Sequence, residues 1–299
     1  VVAIGSIVIA GMREVGYTKE FAAGVISNAG TLGILIPPSI NLILYGLLTD
    51  TSVPELYRAG IIRGVILASL FMLTIIGACL YRKDWGGTKV ETSWAARIRT
   101  LPDLLPPILL FCAVVGSIYG GVAPPTEAAS IGVVFALSIA AWRRTLNMRM
   151  LREAFEGTMR TTAMIMLIIL AAVFLNFVLG FIGVTQALTT YIKELGLTPM
   201  QTMLIVIVFY LILGMFMETF SMMLTTVPLI FPIVSALGFD GVWFGIMVTV
   251  LMETALITPP IGVNLYVVQG IRLGGGNFND VSVGAAPFVI SMLVMVALL

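Results

Sequence analysis

The chain contains no histidine and only two cysteines in 299 residues. Histidine is the commonest metal ligand and the usual proton shuttle near neutral pH, so its absence removes most metalloenzyme and acid–base designs. Cys79 and Cys112 both lie in apolar runs, where a small buried thiol is the plain reading. Two such residues build neither a disulfide framework nor a metal motif. Charge is equally scarce: 10% of residues are charged, and a net charge of +1 gives no footing for nucleic-acid binding. Neither Gly-x-Gly-Asp nor His-Glu-x-x-His occurs, so an intramembrane enzyme would lack both its paired aspartates and its metal-binding helix.

What is present is apolar. Hydrophobic residues make up 59% of the chain, and several stretches exceed the roughly 18 residues that signal a spanning helix. The fold class expected is an all-α polytopic membrane protein. Val1 to Ala10 is already apolar, with no initiator methionine and no signal-peptide layout, and reads as a start inside a membrane element.

Hydropathy and breakers divide the rest. Residues 1–12 read as the tail of a membrane segment, 20–47 as a helix broken at Pro37-Pro38, and 57–81 as a full span. A polar, basic stretch covers 82–100, followed by spans at 104–121 and 126–142. Pro124-Pro125-Thr126-Glu127 reads as a helix start with Thr126 as its cap. A basic amphipathic arm is expected at 143–160, resting on lipid headgroups, then a span at 161–183 and a mixed surface segment at 184–197. Residues 199–236 read as two arms bent at Gly214 to Ser221, 241–271 as a second broken helix, and 281–299 as a last span.

Charge placement orients these pieces. Arg82, Lys83, Lys89, Arg97 and Arg99 form one basic group, and Arg143, Arg144, Arg149, Arg152 and Arg160 another. Two spans separate the groups, so they share a side, which the positive-inside rule makes cytoplasmic. The loop Leu48 to Leu56 falls opposite and carries no Lys or Arg.

The two double prolines carry the argument further. Proline removes a backbone donor and clashes with the carbonyl one turn back. A bilayer offers no water to satisfy the carbonyls so freed, and such breaks persist only inside protein or beside a cavity or ion. Pro37-Pro38 and Pro259-Pro260 stand 222 positions apart, and at that offset Gly16-Tyr17 meets Gly238-Phe239. With one insertion Asn41 meets Asn264. An odd number of crossings relates the copies, so the first break runs outward and the second inward, as in an inverted-topology repeat. By the same logic the partner of the repeat starting near Leu104 is expected to begin roughly 120 residues before Val1. The expected divisions are residues 1–81, the end of the first repeat; 82–103, a cytoplasmic linker; and 104–299, the second repeat with its final span.

If the hairpin around Gly214 to Ser221 does not cross, its tip meets the second break near the midplane. Half-helix C-termini and unwound carbonyls suit a hard cation there. Hydroxyls of Thr219, Thr254 and Thr258 and the amide of Asn264 could complete an oxygen shell. Glu218 and Glu253 are intramembrane carboxylates on this map, each able to ligate a cation, carry a proton, or sit protonated and hydrogen-bonded. Gly60-Gly64, Gly116-Gly120 and Gly241-Gly245 have the spacing of close helix contacts.

Four motifs in order, GTLGILIPPSINLILYG, APPTEAASIG, GMFMETFSMMLTTVPLIFPIV and ALITPPIGVNLYV, resemble the large membrane subunit of tripartite ATP-independent periplasmic (TRAP) transporters, the DctM-like family. The resemblance covers essentially the whole chain. It implies an inverted-repeat, elevator-type transporter with re-entrant hairpins, importing an organic acid such as a dicarboxylate or sialic acid on a sodium gradient. No cofactor beyond sodium ions is implied. The implied partners are a small four-helix membrane subunit, a periplasmic solute-binding protein and the carboxylated solute, all at the bacterial inner membrane. By similarity a first cation site would use Asn28, Gly30, Thr31, Gly33, Pro37 and Asn41. A second would use Gly214, Glu218, Thr219, Glu253, Thr254, Thr258 and Asn264, with Ser221, Thr225 and Pro260 toward the solute. Two departures stand out: the first hairpin tip would lie upstream of Val1, and Glu218 stands where relatives often carry Asp. This stretch alone is expected to be inactive. A binding-protein-independent sodium–dicarboxylate or citrate carrier is the alternative, but its Ser-Asn-Thr hairpin turns have no counterpart in Gly214 to Ser221.

Overall fold

The computed structural model describes residues 2–88, 94–271 and 277–299, and among these every regular element is helical. In chain order the helices are α1 (Val2–Glu14), α2 (Lys19–Leu35), α3 (Ile40–Thr49), α4 (Val53–Tyr81), α5 (Trp94–Tyr119), α6 (Pro125–Trp142) and α7 (Met148–Ile182). They continue with α8 (Val184–Glu194), α9 (Pro199–Gly214), α10 (Thr219–Ala236), α11 (Gly241–Leu256), α12 (Val263–Ile271) and α13 (Phe278–Leu298). A short 3-10 turn, Lys83–Trp85, follows α4. Among the described residues five helices are long and apolar enough to cross a membrane, or six if α2 and α3, bent by 43°, make one span. The protein is a multi-pass membrane protein.

Local chemistry sets the helix starts. Thr18 caps α2 by accepting from Phe21 N–H, and Asp240 caps α11 by accepting from Trp243 N–H. The residues two before these caps, Gly16 and Gly238, both take positive φ (90° and 86°), a conformation glycine adopts without Cβ strain. The two broken helices therefore begin with the same turn, at the offset expected from the sequence. At α9, Thr198 and Gln201 form a reciprocal capping box.

Three boundaries differ from expectation. No separate basic arm exists: residues 148–182 form one continuous helix, α7. The stretch contains no proline, and the exposed pairs Arg149–Glu153 (2.8 Å) and Arg152–Glu156 (2.7 Å) support its first turns at i,i+4 spacing. Helix α5 starts at Trp94, ten residues before the expected span, and carries Pro102, Pro106 and Pro107 inside it. Pro124, not Thr126, sits at the cap of α6, its carbonyl taking the first backbone bonds from Glu127 and Ala128. Lys89 of the basic group lies outside the described residues.

The chain forms two compact units, one of Val1–Lys89 with Ala171–Leu299, the other of Val90–Leu170. In the smaller unit α5 packs on α6, and most described side chains are exposed, with Val115, Ser117 and Ile118 of α5 and Ala128 of α6 buried. Apolar exposure of this kind matches a surface facing lipid tails, which are as apolar as leucine.

The larger unit is built around α11, whose residues from Phe244 to Leu256 are all buried. Helices α2 and α13 cross at Gly24 and Gly284, where a Cβ on either residue would run into the other helix's backbone. Leu265 and Val268 of α12 pack on Ala23 and Ile26 of α2. At the other end Tyr45 of α3 donates its hydroxyl to Gly241 O of α11 at 2.7 Å. The start of each broken helix thus lies beside the end of the other, so the two run in opposite directions.

Candidate functional site

The first break is a matter of missing donors. Helix α2 makes its last turn with Ile36 N–H donating to Leu32 O at 2.9 Å. Pro37 and Pro38 have no N–H, so Gly33 O and Ile34 O lose the donors four residues on. Ser39 replaces one of them: its hydroxyl donates to Ile34 O, and the same oxygen accepts from Leu42 N–H at 3.4 Å to cap α3. Gly33 O keeps no intrahelical donor. One turn earlier Asn28 donates Nδ2 to Gly24 O at 2.7 Å, while its Oδ1 is buried without a partner. Thr31 donates to Asn28 O at 2.8 Å and keeps its oxygen lone pairs. Asn41 is buried, Gly30 half-buried and Gly33 exposed. Helix α4 closes against this break through Gly60, where a Cβ would stand 2.8 Å from Leu35 O, and Gly64, where it would stand 2.5 Å from Ile36 Cγ1.

The second break repeats the pattern. Pro259 and Pro260 deprive Ala255 O and Leu256 O of their donors. Thr258 N–H takes Ala255 O at 3.1 Å, and Leu256 O keeps no intrahelical donor. Thr258 donates its hydroxyl to Thr254 O at 2.6 Å, and Thr254 donates to Val250 O at 2.7 Å. Each break therefore repairs one freed carbonyl and leaves one open. The Pro37-Pro38 and Pro259-Pro260 peptide bonds are both cis. Asn264, just after the second break, ties α12 to α2 by donating Nδ2 to Ser27 O at 3.5 Å.

Glu253 lies one residue before this cluster, wholly buried, and neither carboxylate oxygen has a hydrogen-bond partner. The hydroxyls of Thr254 and Thr258 donate to backbone instead. An uncompensated buried carboxylate is costly, so the group needs either a proton or a cation.

The hairpin α9–α10 packs on α11 where Gly214 meets Ala255 too closely to admit a side chain. Glu218 sits at its tip as the cap of α10, one oxygen accepting from Phe220 N–H at 2.9 Å and Ser221 N–H at 3.1 Å. Thr219 is buried, Ser221 and Thr225 are half-buried, and Thr225 donates to Ser221 O at 2.7 Å. Pro260 is exposed. Among the described residues no hydrogen bond ties Glu218, Ser221 or Thr225 to either break.

Sequence reasoning passed over four supporting residues. Ser39 repairs the first break. Tyr45 ties α3 to α11. Thr226 bonds the Tyr210 hydroxyl at 2.9 Å and so holds the two hairpin arms together. Asn176 of α7 donates Nδ2 to Leu224 O at 2.9 Å, the carbonyl that Pro228 leaves without its intrahelical donor. An amide alone among apolar residues from Ala163 to Gly183 was the available signal for Asn176, and a serine directly after two prolines was the signal for Ser39.

Chemically, each break offers an open carbonyl and hydroxyl oxygens with free lone pairs, and the helix that leads into the first carries the unpartnered Asn28 Oδ1. These are the oxygen donors a hard cation takes. The solute would need separate groups.

Across residues 1–299 the chain matches the family described as tripartite ATP-independent periplasmic transporter, DctM component. It is 38% identical over 279 residues to the C4-dicarboxylate TRAP transporter large permease protein DctM of Pseudomonas aeruginosa, covering 92% of this chain and 65% of that protein. The chain thus spans slightly less than two thirds of that relative's length. It is 32% identical to the ectoine/5-hydroxyectoine TRAP transporter large permease protein UehC of Ruegeria pomeroyi (100% of this chain, 69% of the relative). With the sialic acid TRAP transporter large permease protein SiaM of Vibrio cholerae it shares 29% identity (99% and 68%).

Proposed function

The chain belongs to the DctM component family of tripartite ATP-independent periplasmic transporters, and from that premise we propose that it is the transport-site part of a sodium-driven organic-acid importer of the bacterial inner membrane. A periplasmic binding protein supplies the solute, and a small membrane subunit completes the permease. Most solutes named for its relatives, C4-dicarboxylates, sialic acid and ectoines, carry a carboxylate, while isethionate carries a sulfonate. The proposed solute is accordingly a small carboxylated compound.

One observation supports the reading above the rest: two oppositely directed helix breaks, each with one carbonyl open, on broken helices tied together by Asn264 to Ser27 O. Such pairs at repeat interfaces bind coupling ions and substrate in secondary transporters. Asn28, Thr31 and Gly33 O would hold one sodium ion at the first break, with Gly30, Pro37 and Asn41 shaping it. Thr254, Thr258 and Leu256 O would hold another at the second, beside Gly214, Thr219 and Asn264. Glu253 would compensate charge there. Glu218 orders the hairpin tip that presents Ser221 and Thr225 to the solute, opposite Pro260. An elevator-type movement of these helices would carry the loaded site across the membrane.

The test is uptake by the full-length permease complex in proteoliposomes, with C4-dicarboxylate, sialic acid and ectoine offered together with their cognate binding proteins. Uptake should require both an inward sodium gradient and a binding protein. Uptake that persists without either would overturn the reading.

A further inference from the structure

We propose that a groove between the cytoplasmic end of α4 and the start of α13 is a binding site for one anionic phospholipid, its phosphate on Arg82 and an acyl chain along Gly77. The proposal rests on the membrane orientation given by the basic residues and not on the ion sites.

The groove has a volume of about 590 Å³ and is lined by Gly77, Ala78, Arg82, Trp85, Ala286 and Ile290, among others. That size falls within the roughly 300–1,000 Å³ of ordinary small-ligand sites. Its trough is apolar and made by small residues: a Cβ placed on Gly77 would meet nothing within 4 Å. The two hydroxyls on its wall, Thr74 and Ser291, bond each other, so neither calls for a polar ligand. A hydrocarbon chain suits such a trough.

The mouth is different. The Arg82 guanidinium lies 4.8 Å from the Trp85 ring centroid. Trp85 is itself fixed, packed 5.0 Å from the Phe21 ring. A guanidinium stacked by its face still offers edge N–H groups, the geometry that binds phosphate. Lys83 follows, exposed, and among the described residues no acidic side chain forms an ion pair with Arg82 or Lys83, Asp84 included. A tryptophan and a cation at the end of a span mark the headgroup level, and basic pockets between spans on the cytoplasmic side take acidic headgroups. An apolar partner helix would fill the trough but leave this charge unanswered, which is why a lipid is the occupant proposed.

Native mass spectrometry of the full-length permease complex tests this, after incubation with phosphatidylglycerol or phosphatidylcholine of matched chains. The wild-type complex should retain phosphatidylglycerol preferentially. Arg82→Gln should lower that retention by about five-fold, the weight of one basic residue near an anionic surface, and leave phosphatidylcholine unchanged. Gly77→Leu, a favourable helix residue that fills the trough, should lower retention of both lipids. Circular dichroism and gel filtration would check that each variant is folded and assembled. Equal retention of the two lipids by the wild type, or an undiminished preference in Arg82→Gln, would overturn the proposal. So would a Gly77→Leu complex that loses its small subunit but keeps its lipid, since the groove would then belong to a protein partner.

Discussion

Removing Asn176 should cost stability only because Pro228 is a proline. Asn176 Nδ2 donates to Leu224 O at 2.9 Å, and that carbonyl would otherwise take the backbone N–H of residue 228. Leaving a buried acceptor bare costs about 1–3 kcal/mol. Asn176 Oδ1 is already buried and unpartnered, so Asn176→Ala removes one unsatisfied atom while creating another. The expected net loss is therefore near the low end, about 1 kcal/mol. In a Pro228→Ala background the helix regains its own donor, and the same Asn176→Ala change should cost roughly a third of that or less. The coupling would be ~0.7–1 kcal/mol, within the range for residues in direct contact. Reversible unfolding of the full-length permease in mixed micelles, for the wild type, both single variants and the double variant, gives this number. An equal loss in both backgrounds would refute the reasoning and assign Asn176 to packing alone.

Ser39→Ala removes the donor to Ile34 O and the cap of α3 together, so a loss of about 1–3 kcal/mol in the same assay is expected, with Ser39→Thr retaining most of the stability. Gly60→Val places a side chain 2.8 Å from Leu35 O and 3.1 Å from Leu42 Cδ1. That overpacking should cost about 1–3 kcal/mol and lower uptake by disturbing the first break; uptake at the wild-type level would show that α4 does not shape the site. Glu253→Gln keeps the shape of a buried side chain while removing its charge. It should melt no lower than the wild type yet lose sodium-dependent uptake, and an unchanged sodium response would take Glu253 out of the ion site.

Much of this arrangement could be read in the sequence because proline acts on its own turn. The two breaks, their opposite directions and the shared Gly-aromatic-cap starts at residues 16–18 and 238–240 follow from local chemistry. The hairpin bend was visible at Gly214 to Ser221, where a glycine and polar residues interrupt the apolar run. Long-range partners were not. Nothing near Leu224 in sequence says that its carbonyl is served from α7, 48 residues earlier. A carboxylate at a hairpin tip in the membrane invites an ion-binding role for Glu218. Glutamate is not among the preferred capping residues, so its bonds to Phe220 and Ser221 N–H were not legible. The basic residues of 143–160 suggest a separate arm, but a change in solvent near residue 160 does not end a helix when no breaker is present. Conversely, α5 absorbs three prolines that a local rule would place at helix ends.

The central claim is that the two proline breaks hold cations through the oxygens they leave open. It is tested most directly by sodium-dependent thermal stabilisation of the full-length permease complex, wild type against Thr258→Val. A ligand at about 100 times its Kd stabilises by ~2.7 kcal/mol, a shift large enough to follow across a sodium titration. Thr258→Val keeps the side chain's shape and removes one oxygen, so the account predicts little change in melting without sodium and a sodium titration displaced to higher concentration by about ten-fold, a loss of ~1.4 kcal/mol in ion binding. A Thr258→Val complex that melts normally and responds to sodium as the wild type does would contradict it.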